Sequence, residues 1–464
     1  MHRLLTWWQD HWRFAWIRTV MYAALMFVLP EYCAPVLAVL ALVAAHKDAR
    51  SRDCSLCVGS FMRPLALYVV YMLIGLIYAI DRFSTVTSVA MWCVSLMFYV
   101  ALVTVLTDRK RLSAAMAYLS FGLAINGLVA CVQHFLKVNM GLSVDMQLWK
   151  WLDRLLMPLG YPDFPDIESR AAAAFTNPNI LAEFFILFLP FVFYYLSVKT
   201  NVKRTVITRV GAVLTVFGLL FTFCRGAYLA MILIVALFLA VNIRKAPFLL
   251  FIALAVLVLI PSSVYIRLFS LAGSGEYVSG VVDQVEDDPT DGDTLLDDFI
   301  ANAEKPTEDG KKPSKSLSER MQVWAASVDA ILKRPLFGYG SGGMGIKGLL
   351  GSYDVVPPHA HNLVLQLLLE GGVLGLSLWL AIAFSSIRKG YRLLLRSANP
   401  PCGMAVVAFV CGFCTISMTD YPFLSPKLVS GVLLVLALID VFYQLFVSDE
   451  KRCSLREALI PRFC

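Results

Sequence analysis

Residues 361–389 read HNLVLQLLLEGGVLGLSLWLAIAFSSIRK. Between the polar pair His361-Asn362 and the basic pair Arg388-Lys389 the only formal charge is Glu370. The stretch is longer than the roughly 20 residues a helix needs to cross a bilayer, so a membrane span is predicted over 361–387. The same pattern recurs in both directions along the chain. Further helices are expected near 14–30, 33–46, 63–80, 84–107, 112–135, 178–198, 205–223, 226–243, 246–262, 402–419 and 427–447. The fold class read from this is all-α: a polytopic membrane helix bundle of about twelve transmembrane helices, with one large outward loop containing short helices.

Composition agrees. The 464 residues are 59% hydrophobic and 16% charged, with a mean hydropathy of +0.71, more apolar surface than one water-soluble core can hide. The first apolar run, Ile17 to Leu29, is followed directly by a second, so no cleavable signal peptide is expected.

The net charge of +7 is a matter of placement. More than half of the 40 lysines and arginines fall in alternate short loops: Arg3–Arg18, Lys47–Arg63, Arg109–Arg111, Lys199–Arg209, Arg244-Lys245, Arg388–Arg396 and Lys451–Arg462. By the positive-inside rule these loops and both termini are cytoplasmic. The basic excess is thereby a topology signal, not a nucleic-acid footprint.

The 11 cysteines are odd in number and lie mostly inside helices or on the cytoplasmic side, which argues against a secreted disulfide framework. Cys54 and Cys57 form a CxxC in a basic loop, and Cys411 and Cys414 repeat the spacing inside an apolar run. A zinc site there needs two further ligands, for which Cys402, Cys453 and Cys464 are the cysteine candidates. Packing residues are the alternative reading.

The organisation expected is spans 1–5 over 1–135, an outward segment over 136–177, spans 6–9 over 178–262, a large outward loop over 263–360, spans 10–12 over 361–447 and a cytoplasmic tail over 448–464. In the first outward segment Leu148, Trp151, Leu152, Leu155 and Leu156 make an apolar stripe around Lys150, Asp153 and Arg154, suited to a helix in the interface or packed on the bundle. The large loop contains an acidic insertion, about 283–315, without helical or strand period, which reads as disordered. Its Asp287–Asp293 run lacks the carboxylate order of a calcium loop. Beyond it, Ser316 or Ser318 can cap an amphipathic helix with Met321, Trp324, Val328 and Leu332 on one face, ending at Pro335. A glycine-rich run, Leu336 to Gly351, follows. No Gly-Lys-Ser/Thr closes it and no strand precedes it, so it is neither a P-loop nor a dinucleotide motif; it is expected to be a flexible loop able to approach a ligand.

Charges at the edges of apolar spans carry the functional reading. Arg225 stands at an outward turn with almost no loop, Arg320 opens the amphipathic helix one turn before Trp324, and His361 begins a long span beside Asn362. Each has a structural alternative: headgroup anchor, solvated helix-start charge, interfacial cap. Together they place two guanidinium groups and an imidazole on one side of the membrane. Arginine forks pair with phosphate oxygens in two places and can neutralise a departing diphosphate without a metal. A neutral imidazole can take the proton of an attacking hydroxyl. A single displacement of this kind inverts the anomeric centre. The paired carboxylates of sugar hydrolysis are not expected, because the outward acids concentrate in the insertion.

These residues carry a resemblance. Arg225-Gly-Ala-Tyr-Leu229, Arg320-Met-Gln-Val-Trp324, Arg334-Pro-Leu-Phe-Gly-Tyr-Gly340, and His361-Asn362 followed by Glu370, Gly372 and Gly375 resemble the hallmarks of the O-antigen ligase and polymerase superfamily. Arg170 to Asn179, RAAAAFTNPN, resembles a segment ahead of a span in the same proteins. The likeness runs from roughly 165 to 376.

It implies a bacterial inner-membrane glycosyltransferase of lipopolysaccharide or polysaccharide biosynthesis, free of metal and cofactor, using undecaprenyl-diphosphate glycans. His361 is then the base, Arg225, Arg320 and Arg170 bind the diphosphate, and Asn362, Trp324 and His359 support them. A ligase passes the glycan to lipid A-core; a polymerase, the alternative, passes it to a second lipid-linked glycan. A transporter of lipid-linked sugars ranks lower, since no matched pair of broken helices recurs in two related halves.

Overall fold

The structure is a computed structural model that describes residues 14–136, 170–197, 202–241, 315–352, 359–397, 400–447 and 453–454. Among them the fold is all-α apart from one short antiparallel pair, β1 (Cys57–Val58) with β2 (Cys453–Ser454). In chain order the helices are α1 (Ala15–Val28), α2 (Ala34–Arg50), α3 (Met62–Gly75), α4 (Arg82–Val105), α5 (Arg109–Leu136), α6 (Pro178–Ser197), α7 (Val202–Leu220), α8 (Arg225–Val241), α9 (Lys315–Lys333), α10 (Gly343–Gly351), α11 (Leu363–Arg396), α12 (Pro400–Ser417) and α13 (Pro426–Phe446). Among the described residues seven helices are long and apolar enough to cross a membrane, and α1, α3 and the apolar parts of α7 and α8 are shorter apolar helices. These cover every expected span but 246–262, which lies outside the described residues together with the 148–156 stripe and the acidic insertion up to residue 314.

Local rules set the boundaries. Asp81 Oδ1 accepts the Ser84 amide at 3.1 Å and caps α4. Asn362 Oδ1 accepts the amides of Val364 (2.9 Å) and Leu365 (3.2 Å) and starts α11. Pro426 opens α13, where its missing N–H costs nothing. Almost every residue of α6 and α13 is buried, so these two form the centre. The outer helices present Leu67, Phe384 and Leu395 outward, as helices against lipid do. Where α5 crosses α7, a Cβ on Gly127 would stand 2.3 Å from the Leu214 carbonyl oxygen; only glycine permits that approach.

The turns gather at two ends of the bundle. At one, Ser425 Oγ donates to Glu31 (2.7 Å), the Ala171 amide to the Phe221 carbonyl (3.0 Å) and the Ile80 amide to the Tyr339 carbonyl (3.0 Å). At the other, Arg111 pairs with Asp48 at 2.8 Å, the Cys57 amide donates to Thr104 Oγ1 at 3.0 Å, and Lys389 pairs with Asp440.

The glycine-rich segment departs from expectation. Its first part, to Gly342, is together with Pro335 pinned rather than flexible, because α11 is broken at Gly372 (φ 58°, ψ −162°) and this segment fills the break, and its second part is the helix α10. The amides of Tyr339 and Gly340 donate to the carbonyls of Leu369 (2.8 Å) and Glu370 (3.0 Å), and the Val373 amide returns to Pro335 (2.8 Å). Tyr71 Oη donates to the Gly371 carbonyl at 2.6 Å. A broken helix inside an apolar bundle needs its freed groups paired, and these bonds pair them. Gly338, Gly340 and Gly342 have φ of 68°, 93° and 125°, so the glycines serve close backbone contact, not motion.

Candidate active site

Asp420, in the turn between α12 and α13, is the hub of the site. Its Oδ1 lies 3.2 Å from His361 Nδ1 and 3.6 Å from His359 Nε2, and accepts the Tyr421 amide at 2.9 Å. Its Oδ2 accepts Asn179 Nδ2 at 3.1 Å. Asn179 stands in the first turn of α6, and its Oδ1 in turn accepts Arg170 Nη2 at 2.5 Å, while Arg170 Nε donates to the Thr222 carbonyl at 2.8 Å. The turn before α8 and the start of α6 are thus tied to the histidines through one carboxylate.

The loop carrying the histidines is fixed from both sides. Trp324 Nε1, on α9, donates to the Ala360 carbonyl at 2.9 Å, and the Ala360 amide donates to Gln366 Oε1 at 2.9 Å. Asn362 Nδ2 reaches the Met418 carbonyl at 3.4 Å. His361 itself is held at φ 48°. Ala173 (φ 46°) and Phe223 (φ 52°), on the two segments that hold Arg170, share this left-handed conformation. Non-glycine residues there cost about 1–3 kcal/mol each and concentrate at functional sites.

The expected residues meet here. His361 touches Asp420 directly, with 21% of its side chain exposed. Arg320 is close enough for its charge to act on His359; it sits in the second turn of α9, not at the opening, because the helix begins at Lys315. Arg225 opens α8, and a Cβ on the next residue, Gly226, would stand 2.2 Å from Thr419 Oγ1. That contact puts the Arg225 backbone beside Asp420. Trp324 and Asn362 position the histidine loop, as described.

Electrostatics separates the roles. Burial, opposed in part by the Asp420 carboxylate and assisted by His361 and Arg320, lowers His359 to about 4, so it is neutral near pH 7. Burial alone would push Asp420 up; the hydrogen bond to His361, the charges of both imidazoles and the Tyr421 amide outweigh it and hold the carboxyl below its ordinary range. Burial lifts the Cys224 thiol to about 11, which removes it as a nucleophile.

Two acids correct the sequence reading, which put the outward acids in the insertion. Asp420 stands in contact with the imidazole. Glu183, one turn beyond Asn179, is 2% exposed, within electrostatic reach of Asp420, and its Oε1 has no hydrogen-bond partner among the described residues. Both were visible as charges at or inside apolar spans. Among the described residues, one cluster has metal-ligand chemistry, His359, His361 and Asp420, with ligand atoms within 4.8 Å of one another. The Cys54/Cys57 pair is not part of such a cluster.

No curated protein matches the chain. The family model described as O-antigen ligase matches residues 210–380, a segment that contains Arg225, Arg320, Trp324, His359, His361 and Asn362 but neither Arg170 nor Asp420. Residues 210–380, set in an all-α membrane architecture, are therefore similar to the O-antigen ligase family, and the likeness covers less than half of the chain.

Proposed function

We propose that the chain transfers a glycan from undecaprenyl diphosphate to the hydroxyl of an acceptor on the outer face of the bacterial inner membrane, in the manner of a ligase acting on lipid A-core. The observation that carries this reading is the 3.2 Å contact of Asp420 Oδ1 with His361 Nδ1 at the end of the bundle where Arg225 and Arg320 also lie. A carboxylate on Nδ1 keeps that nitrogen protonated and leaves the Nε2 lone pair for catalysis.

In the reaction His361 Nε2 takes the acceptor proton as the hydroxyl oxygen attacks the anomeric carbon. The bond to the diphosphate oxygen breaks on the opposite face, its electron pair leaves with the diphosphate, and the configuration inverts. The imidazolium formed is stabilised by Asp420. Arg225 and Arg320 neutralise the charge that develops on the leaving group. Arg170, engaged with Asn179 and Thr222, acts behind the carboxylate by orienting Asn179, a change from its expected place on the diphosphate.

The test is a purified transfer assay with lipid-diphosphate glycan and either lipid A-core or further donor. A core-linked product supports the ligase, whereas growth of the glycan on its carrier indicates a polymerase. His361→Ala is expected to lower turnover by roughly 10²–10⁴-fold with donor binding retained. Near-normal transfer by that variant would refute the assigned base.

A further inference from the structure

We propose that His359, His361 and Asp420 form a three-ligand site for a divalent transition ion, zinc above all, and that the bound ion switches transfer off by occupying the His361 nitrogen that faces Asp420. The switching half rests on the reading of His361 as base; the binding half does not.

The geometry supplies the argument. Two donors held 2.0–2.2 Å from one tetrahedral zinc ion stand about 3.3–3.6 Å apart. The pairs converging on Asp420 Oδ1 measure 3.2 Å (His361 Nδ1) and 3.6 Å (His359 Nε2). The three ligand atoms lie within 4.8 Å of one another and the two imidazole rings have centroids 4.1 Å apart, so the remaining edge closes by ring rotation. Two imidazoles and one carboxylate are a borderline-soft set that favours zinc, nickel or copper over magnesium or calcium. The carboxylate is already oriented from outside the trio by Asn179 Nδ2 and the Tyr421 amide, as the outer partners of a metal ligand are. A fourth position stays open toward the exposed side of His361.

The same geometry explains the effect on transfer. With the ion on His361 Nδ1, the single proton of the neutral imidazole sits on Nε2, and the ring has no lone pair left for the acceptor proton. No proton leaves the ring; it changes nitrogen. At His359 the ion requires the proton on Nδ1, which at present accepts the His361 amide at 3.2 Å. That hydrogen bond is given up, and the charge of Arg320 opposes a cation, so micromolar rather than nanomolar affinity is expected.

The test uses the full chain in nanodiscs carrying Cys54→Ser and Cys57→Ser, which removes the thiol pair as a competing site. Calorimetry with zinc chloride is expected to show uptake at one ion per chain, with none for magnesium chloride. His359→Ala and the more conservative His359→Gln should each weaken zinc binding by roughly 100-fold, and cobalt(II) should give the visible absorption of a tetrahedral site that both variants lose. Saturating zinc should stop transfer by the parent chain, and a chelator should restore it. Absence of stoichiometric uptake, or uptake unchanged in both variants, overturns the site. Bound zinc with undiminished transfer overturns the switch. If zinc fails to bind while the parent chain transfers and His361→Ala does not, the metal site falls and the base assignment stands.

Discussion

Two aspartates, Asp420 in the turn before α13 with 13% of its side chain exposed and the buried Asp440 toward the far end of that helix, have opposite kinds of company. At about 1.5 Å per residue, Asp440 lies roughly 21 Å along α13 from Pro426, which follows the Asp420 turn. Asp440 is 1% exposed and saturated: Lys389 pairs with it, Tyr99 Oη donates at 2.5 Å, Ser60 Oγ at 3.0 Å and the Phe61 amide at 3.3 Å. Even a Cβ on Gly59 would stand 2.0 Å from its Oδ2. Those partners come from α4, α11 and the loop before α3, so the carboxylate is a tie between elements. Asp420 instead faces two imidazoles and an amide, and His361 remains partly open. A permanent cation beside a carboxylate makes a fixed joint; a titratable ring beside one makes a place where a proton can move.

Substitutions at the two positions should therefore dissociate activity from stability. Asp420→Asn keeps a hydrogen-bonding group but loses the charge that stabilises the imidazolium, and transfer is expected to fall by roughly 10²–10⁴-fold with little change in the melting temperature in nanodiscs. Asp440→Asn should do the reverse. It leaves Lys389 without its buried counter-charge, at a cost of about 3 kcal/mol seen as a lower melting temperature, while the molecules still folded transfer at nearly the parent rate. If both variants lose activity and stability in parallel, the distinction drawn between the two ends is wrong.

The fold was largely legible because membrane spans announce themselves by length and composition, as 361–389 does. The break in α11 was not. Gly371-Gly372 inside an apolar run looks like ordinary small-residue packing, and the segment that caps the break, Pro335 to Gly340, lies more than thirty residues earlier in the chain. Likewise, His361, Arg225 and Arg320 could be found as charges at span edges. Asp420 obeyed the same rule but stood alone in the short turn Thr419-Asp420-Tyr421-Pro422, remote in sequence from everything it touches. Glu183 is an acid within an apolar run, a signal of the same kind, but no motif surrounds it to assign it to the site.

The pinned glycine segment gives a smaller but cleaner contrast within the end that carries the site. Gly342 has φ 125°, and a Cβ there would stand 2.2 Å from Ser84 Oγ and 2.7 Å from the Ser84 carbonyl carbon. Gly342→Ala is expected to destabilise the protein by about 1–3 kcal/mol. Gly348, six residues later in α10, has nothing within 4 Å of an added Cβ, so Gly348→Ala should be neutral or stabilise by up to roughly 1 kcal/mol through helix propensity. A flexible segment would tolerate both changes equally, and equal melting temperatures for the two variants would restore that reading.

The smallest effect expected on function is at Arg225. Its backbone is set by the Gly226–Thr419 contact, so the side chain leaves from a fixed point beside Asp420. Arg225→Lys preserves the charge and much of the reach but replaces a planar fork, able to hold two phosphate oxygens, with a single ammonium. The loss should be about tenfold in donor affinity, some 1.4 kcal/mol, with the acceptor KM unchanged because the acceptor hydroxyl meets His361 and not the guanidinium. Donor titrations of the parent and variant chains read the difference directly. An unchanged donor affinity would remove Arg225 from the diphosphate and leave it a headgroup anchor, with Arg320 carrying the leaving-group charge alone.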